Sequence, residues 1–222
     1  MKNIILLAPP ATGKGTLAKE LKELYGYDHI STGDMLREAV EKGDELGRQI
    51  DEIMKSGNLV PDDLIYQLLE QRLASQTSNG YILDGFPRNV KQAEKYEEIV
   101  SNINGDLAIV ILMDIDKEEL KTRCTGRRSC PKCGKIYNIY HEGMQPKDNK
   151  VCLDCNVEVF QREDDNIETF EKRYSTYLEK TQPLIDYYTK KNNLYKIYAG
   201  GNKKQTLDNA LELLKKLGEK ID

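Results

Sequence analysis

The chain has 222 residues, 32% of them charged, and a net charge of −4. That length supports one domain, or one domain with insertions, around a real core. Its balanced charge argues against a general nucleic-acid binder, which is more often basic, so any anionic ligand falls to local arginine clusters. No apolar stretch is long enough for a signal-peptide core or a membrane span, and a soluble cytoplasmic protein is expected.

The chain opens with an apolar run, Ile4 to Leu7, that empties into Gly13-Lys14-Gly15-Thr16. Strand, loop and helix in that order suit a phosphate loop: backbone N–H groups wrap a polyphosphate, Lys14 meets its outer phosphates and Thr16 faces a magnesium ion. A helix from about Gly15 would carry Leu17, Leu21 and Leu24 on one face. Ala8 and Ala11 stand where glycine would be usual in such a loop. If Ala11 needs φ > 0 it is strained by roughly 1–2 kcal/mol, and its exchange for glycine should raise stability or kcat.

Tyr27 to Ile30 suits a short strand, and Ser31-Thr32-Gly33-Asp34 a helix cap. Short helices at Met35 to Val40 and Leu46 to Met54, broken before Asp62, make 31–60 a helical excursion; a helix from Asp62 to Leu73 follows. Tyr81 to Asp84 is a second buried strand ending in a carboxylate placed to hold magnesium; a cap or turn is the ordinary alternative. Arg88 follows within reach of a second anion, and a cis bond at Phe86-Pro87 would aim it. Leu107 to Met113 is nearly all apolar, as a strand covered on both faces is. A helix from Asp116 to Cys124, one from Ile167 to about Lys190, a strand from Leu194 to Tyr198 and a helix from about Thr206 to Leu217 complete a parallel sheet flanked by helices.

Residues 127–164 interrupt that rhythm, with short strands expected at 136–140 and 157–160. Cys130, Cys133, Cys152 and Cys155 form two C-x2-C pairs. Without a secretory signal this spacing reads as one structural zinc site with four thiolates, a redox pair being the alternative. Cys124 reads as a small core residue. Arg37, Arg88, Arg123, Arg127, Arg128, Arg162 and Arg173 cluster near turns and excursion boundaries. Phosphoryl transfer needs charge neutralised and oxygens held in line, work that guanidinium forks suit. The two histidines, His29 and His141, read as a core or edge residue and a flap residue, which leaves little for a hydrolase built on a histidine base.

The chain resembles the adenylate kinases, in their long bacterial form with a zinc-binding lid. The resemblance runs from Asn3 to about Leu217 through Gly13-Lys14-Gly15-Thr16, Ser31-Thr32-Gly33-Asp34-Met35-Leu36-Arg37, Asp84-Gly85-Phe86-Pro87-Arg88 with Gln92, Thr125-Gly126-Arg127-Arg128 with the cysteine pairs, and Arg162-Glu163-Asp164-Asp165 with Arg173. It implies a P-loop nucleoside monophosphate kinase fold, with core residues 1–30, 61–126 and 165–222, an AMP-binding domain at 31–60 and a lid at 127–164 hinged near Gly126 and Asp164-Asp165. It implies the reaction ATP + AMP = 2 ADP with Mg2+, one structural Zn2+, and a cytoplasmic monomer without nucleic-acid or membrane partners.

By this resemblance Gly13, Lys14, Gly15 and Thr16 hold ATP phosphates. Arg123 and Arg127 meet those phosphates and the transferring group, Tyr137 borders adenine, and Gly200 lends it backbone contacts. Thr32, Arg37, Leu59, Val60, Gly85, Arg88 and Gln92 form the AMP site, onto which Arg162 and Arg173 close from the lid side. Lys14, Arg88, Arg123, Arg127, Arg162 and Arg173 are the expected catalytic set, with Asp84 and Thr16 at magnesium. Three readings compete: a kinase for UMP or CMP, since one glutamine does not settle base choice; a regulator that binds ATP without turnover, suggested by Ala8 and Ala11; and an RNA-binding zinc ribbon, against which the mixed charge of 127–164 speaks.

Overall fold

The computed structural model describes residues 1–55, 60–162 and 165–219. Eight helices and seven strands are named among them: β1 (Ile4–Leu7), α1 (Lys14–Tyr25), β2 (Asp28–Ser31), α2 (Thr32–Lys42), α3 (Glu45–Lys55), α4 (Asp62–Ala74), β3 (Tyr81–Asp84), α5 (Val90–Asn102), β4 (Ile109–Asp114), α6 (Lys117–Gly126), β5 (Arg127–Ser129), β6 (Ile136–Asn138), α7 (Ile167–Lys190), β7 (Leu194–Tyr198) and α8 (Lys203–Lys216). Helix α5 has no counterpart in the sequence reading above.

The larger sheet is wholly parallel, in the order β2-β3-β1-β4-β7. Side chains alternate across each strand, so β1 feeds two cores. Ile5 and Leu7 pack with Leu83, Val110 and Leu112 beneath α4, α5 and α7, where Leu69, Tyr96, Ile99 and Leu184 are buried. Ile4 and Leu6 pack with Ile82, Ile111 and Met113 beneath α1 and α8, through Leu17, Leu21, Ala210 and Leu214. Burial on both faces accounts for the apolar runs in β1 and β4.

Two expectations need correction. Leu24 is 60% exposed; the buried stripe of α1 is Leu17, Ala18 and Leu21. Residues 157–160 contribute isolated bridges, Val151 to Glu158 and Ser129 to Phe160, rather than a strand. The small antiparallel ribbon of the flap is instead β5 with β6. Cys124 is a core residue, as expected, packed with Ile115, Leu120 and Phe170.

The topology fixes where a ligand can sit. After β1 the chain crosses to one side, to β3 and β2, and later to the other, to β4 and β7. In such sheets a crevice opens at the C-terminal ends of the strands where the order reverses. In register, Ser31 lies beside Asp84 and Asp84 beside Leu6, so the loops after β1, β2 and β3 meet at one edge.

Candidate active site

The loop after β1 folds under its own polar groups. Thr12 Oγ1 donates to Pro9 O at 2.7 Å, and Lys14 Nζ donates to Ala8 O at 3.0 Å. Ala11 has φ 65° and Gly13 φ 99°, so the alanine occupies the left-handed region. Its methyl packs against the cluster around Ile115, Leu120, Cys124 and Phe170. Gly13 leaves the N-terminus of α1 without a side-chain cap. Free N–H groups at a helix start attract anions.

Burial lowers the pKa of Lys14; Asp84 opposes that shift, while the charges of Arg88 and Arg173 add to it. Arg88 is also lowered, by burial first and then by Arg173, with Asp84 opposing. Three cations therefore disfavour one another around the phosphate loop.

Asp84 ends β3 over the first turn of α1: a Cβ on Gly15 would stand 3.4 Å from Asp84 Oδ2. The same oxygen lies 3.3 Å from His29 Nε2. Burial would raise the Asp84 carboxyl, but His29, Lys14 and Arg88 together hold it below its usual value. His29 thus belongs to the site. Sequence reasoning missed it because the contact depends on β2 pairing with β3, 55 residues away. Thr16 lies one residue beyond Gly15 in α1.

Gly85 must be glycine. Its φ is 84°, and a Cβ there would meet Thr32 Oγ1 at 2.9 Å. Thr32 Oγ1 donates to Gly85 O at 3.3 Å, and Arg88 Nε donates to the same oxygen at 2.7 Å. The Phe86-Pro87 bond is cis. Gln92, 5% exposed, lies in the first turn of α5 behind this group. Arg37 is paired with Asp34. Val60 packs against the small core of the excursion, formed by Ala39, Ile50 and Leu68. Leu59, Glu163 and Asp164 lie outside the described residues, and with Asp164 half of the second expected hinge.

Arg123 is placed differently from the expectation that it meets phosphates. Nη1 donates to Thr12 O and Ala199 O, Nη2 to Gly201 O and Glu119 Oε1, and Nε to Glu119 Oε1. All five guanidinium donors are satisfied within the protein. Arg123 ties α6 to the phosphate loop and to the loop after β7, and only its flat face is left for a ligand. Gly200 lies between two of its acceptors and beneath the Tyr198 ring.

Arg127 is paired through Nε and Nη2 with the buried carboxylate of Asp165, across the neck of the flap. Arg173 is near enough to Lys14 and Arg88 to affect both. Arg162 accepts at its carbonyl from Asp165 N. The Tyr137 side chain is buried inside the flap: it is 2% exposed, and its hydroxyl lies 3.2 Å from Cys152 Sγ. What Tyr137 can offer a nucleotide is backbone.

The sulfurs of Cys130, Cys133, Cys152 and Cys155 all lie within 4.8 Å of one another. Cys133 Sγ and Cys152 Sγ are 3.8 Å apart. A tetrahedral zinc site with Zn–S near 2.3 Å has edges of about 3.8 Å. The two knuckles share one geometry: Gly134 N donates to Cys130 O and Asn156 N to Cys152 O, and both donors have positive φ. Burial would raise the Cys152 thiol, but donation from Tyr137 and from the Cys155 and Asp154 N–H groups brings it down to about 6. Neighbouring sulfurs, Cys133 first, hold Cys155 at about 12. Four sulfurs this close deprotonate together only around a cation, so the residues fit a thiophilic metal. His141 is not among the grouped ligands.

A family model described as adenylate kinase matches residues 6–193. The chain is 48% identical over 199 residues to a protein from Thermotoga petrophila named adenylate kinase, covering 89% of this chain and 90% of that one. It is 50% identical over 196 residues to one so named from Kosmotoga olearia, covering 88% and 90%. A third, from Pseudothermotoga lettingae, is 42% identical over 215 residues, covering 96% and 98%.

Proposed function

The chain belongs to the adenylate kinase family, whose reaction is the reversible transfer of a phosphoryl group from ATP to AMP to give two ADP, and from that premise we propose how its residues divide the work. The observation that carries the reading is the set of mutually repelling cations, Lys14, Arg88 and Arg173, gathered at an uncapped helix start beside Asp84. Such a set is relieved by a polyphosphate.

Gly13, Lys14, Gly15 and Thr16 hold the ATP phosphates. Asp84 and Thr16 hold Mg2+, which when bound neutralises and aligns the phosphate oxygens. Arg88 steadies the acceptor phosphate from the AMP side, where Thr32, Arg37, Leu59, Val60, Gly85 and Gln92 complete the pocket. Arg127, Arg162 and Arg173 bring positive charge from the lid side onto the transferring group. Arg123 keeps the phosphate loop and the Gly200 loop together and offers its face to the adenine of ATP, with backbone from Gly200 and Tyr137 at the edge. Closure of the lid excludes water, so that ATP meets AMP rather than hydrolysis.

Cys130, Cys133, Cys152 and Cys155 hold one structural Zn2+ in the lid, within the boundaries 1–30, 61–126 and 165–222 for the core, 31–60 for the AMP domain and 127–164 for the lid. Among the described residues no helix is long and apolar enough to cross a membrane. A cytoplasmic monomer acting on ATP, AMP and ADP, without nucleic-acid or membrane partners, completes the reading.

The test is incubation with Mg-ATP and each nucleoside monophosphate in turn, followed by phosphorus NMR. Fast ADP formation with AMP supports the reading. Preference for UMP or CMP would reassign the acceptor site. ATP binding without turnover would leave a nucleotide-binding role only.

A further inference from the structure

Gln92 is held from two sides. The Arg88 N–H donates to Gln92 Oε1 at 2.7 Å, and Gln92 Nε2 donates to Asp62 Oδ1 at 2.8 Å. Asp62 opens α4, 30 residues from Gln92 along the chain, and its other oxygen accepts from Tyr66 Oη at 3.4 Å. A backbone N–H can only donate, and an ionised carboxylate can only accept. The amide oxygen must therefore face Arg88 and the amide nitrogen Asp62. Turned over, the amide would oppose two donors at Arg88 and two acceptors at Asp62. These bonds use one N–H and one lone pair of Gln92 and leave one of each. Read as the contact to the base of AMP, Gln92 would present the remaining acceptor and donor in fixed order.

We propose that Asp62 is a positioning residue for base choice: with the Arg88 N–H it locks the polarity of the Gln92 amide, so that the remaining acceptor and donor match adenine and mismatch 6-oxopurines. The proposal rests on the reading of Gln92 as the AMP-side base contact. The Watson–Crick edge of adenine sets an N6–H donor beside the N1 acceptor. Hypoxanthine and guanine reverse the order, with an O6 acceptor beside an N1–H donor. An amide free to turn over would serve either order; this one cannot without losing both anchors. A 6-oxopurine would leave buried donors and acceptors facing their own kind, the situation in which polar sites discriminate most strongly. Cytosine shares the adenine order and uracil the reverse, so the lock also ranks the pyrimidines.

Steady-state kinetics with AMP and IMP, which share sugar and phosphate, test this on the whole enzyme. Asp62→Asn, whose amide can face Gln92 with either end, should lower the AMP-to-IMP ratio of kcat/KM at least tenfold. The change should come through KM for the monophosphate, with KM for ATP unchanged. Asp62→Glu, which keeps an acceptor, should retain the ratio. A merely structural role would weaken AMP and IMP alike; an unchanged ratio in Asp62→Asn, or an equal fall in Asp62→Glu, overturns the lock. The unaltered enzyme gives a test free of folding effects: CMP should be used better than UMP, and the reverse order also overturns it. Gln92→Leu separates the two layers. If it leaves KM for AMP unchanged, the AMP-site reading has failed; if it raises that KM while the Asp62→Asn ratio stays put, only the lock has failed.

Discussion

The two excursions from the parallel sheet are stabilised in opposite ways. The first stretch, proposed above to bind AMP and called here the AMP-side excursion, packs two helices, α2 and α3, around Ala39, Ile50 and Leu68, with Leu36, Val40 and Leu46 against them. It is a small apolar core joined directly to α4. The flap between α6 and α7 has a three-residue-pair ribbon, and its buried cluster is Cys130, Tyr137, Cys152 and Val159. Half of that cluster is sulfur. A segment this short buries little apolar surface, and a metal held by the four cysteines would take the place of a core. The first excursion is tied to the main fold through packing, the second chiefly through its neck, where Arg127 meets Asp165 and Asn138 Nδ2 donates to Arg123 O.

The largest expected effect breaks the flap alone. Structural zinc in small peptides binds with an apparent 10–16 kcal/mol. Chelation, or Cys152→Ser, should therefore unfold residues 127–162 while the sheet and the AMP-side excursion keep their protection. Hydrogen exchange read segment by segment, with metal analysis of the untreated protein, checks it; absence of metal and four freely titrating thiols would remove the contrast.

The converse perturbation is Ile50→Ala. Ile50 is fully buried at the centre of the AMP-side core, and such truncations cost about 2–5 kcal/mol. Exchange should rise in α2 and α3 first, with the flap unaffected. Equal loosening of both excursions would mean that they share one cooperative unit.

Arg88 stands at the root of the AMP-side excursion, held to Gly85 O. Arg88→Ala should lower kcat by about 10²–10³, the range for losing one preorganised donor to developing charge, without changing the melting of either excursion. A loss below threefold contradicts its assigned role.

Much of this contrast was legible in the sequence. The cysteine spacing and the apolar periodicity of α7 and β7 survive in any fold that forms them, because they depend on neighbours in the chain. Contacts closed by sheet pairing or by two helix starts were not legible: His29 with Asp84, Asp62 with Gln92, and Arg123 with three loop carbonyls. Helix α5 was missed because its buried stripe includes a polar Gln92 beside Ala93, Tyr96 and Ile99, which blurs the apolar pattern. An arginine motif says that guanidinium is wanted, not whether its donors face a ligand or the protein.

The His29 contact yields a smaller, pH-dependent effect. Asp84 has its carboxyl held below the ordinary 3.8 in the folded protein. The folded state then binds fewer protons than the unfolded chain, so this contribution is fully present above about pH 4 and is lost as pH falls through the lower folded value. Acid unfolding of the wild type and Asp84→Asn should therefore diverge above about pH 4 and converge as pH falls through the lowered value of the folded carboxyl. Parallel curves throughout would show that Asp84 does not carry the dependence.

Smallest of all, and a control on both excursions, is Ala11→Gly. The left-handed φ of 65° predicts relief of about 1–2 kcal/mol when the Cβ is removed. Glycine gives back about 0.5–1 kcal/mol through the freedom of the unfolded chain. The structure adds an opposing contribution that the sequence did not reveal. The Ala11 methyl packs against Ile115, Leu120, Cys124 and Phe170, and a buried methylene-sized group is worth about 0.8 kcal/mol. The three contributions nearly cancel, so the change in stability should stay within about 1 kcal/mol, a Tm shift of roughly 2–4 °C at most. Packing of the Ala11 methyl therefore reduces the gain expected from glycine. A gain beyond 2 kcal/mol would show that strain outweighs packing, and a loss of that size would show that the methyl is a structural anchor of the loop. In neither case should the exchange pattern of the helical excursion or the flap change, since Ala11 packs with neither.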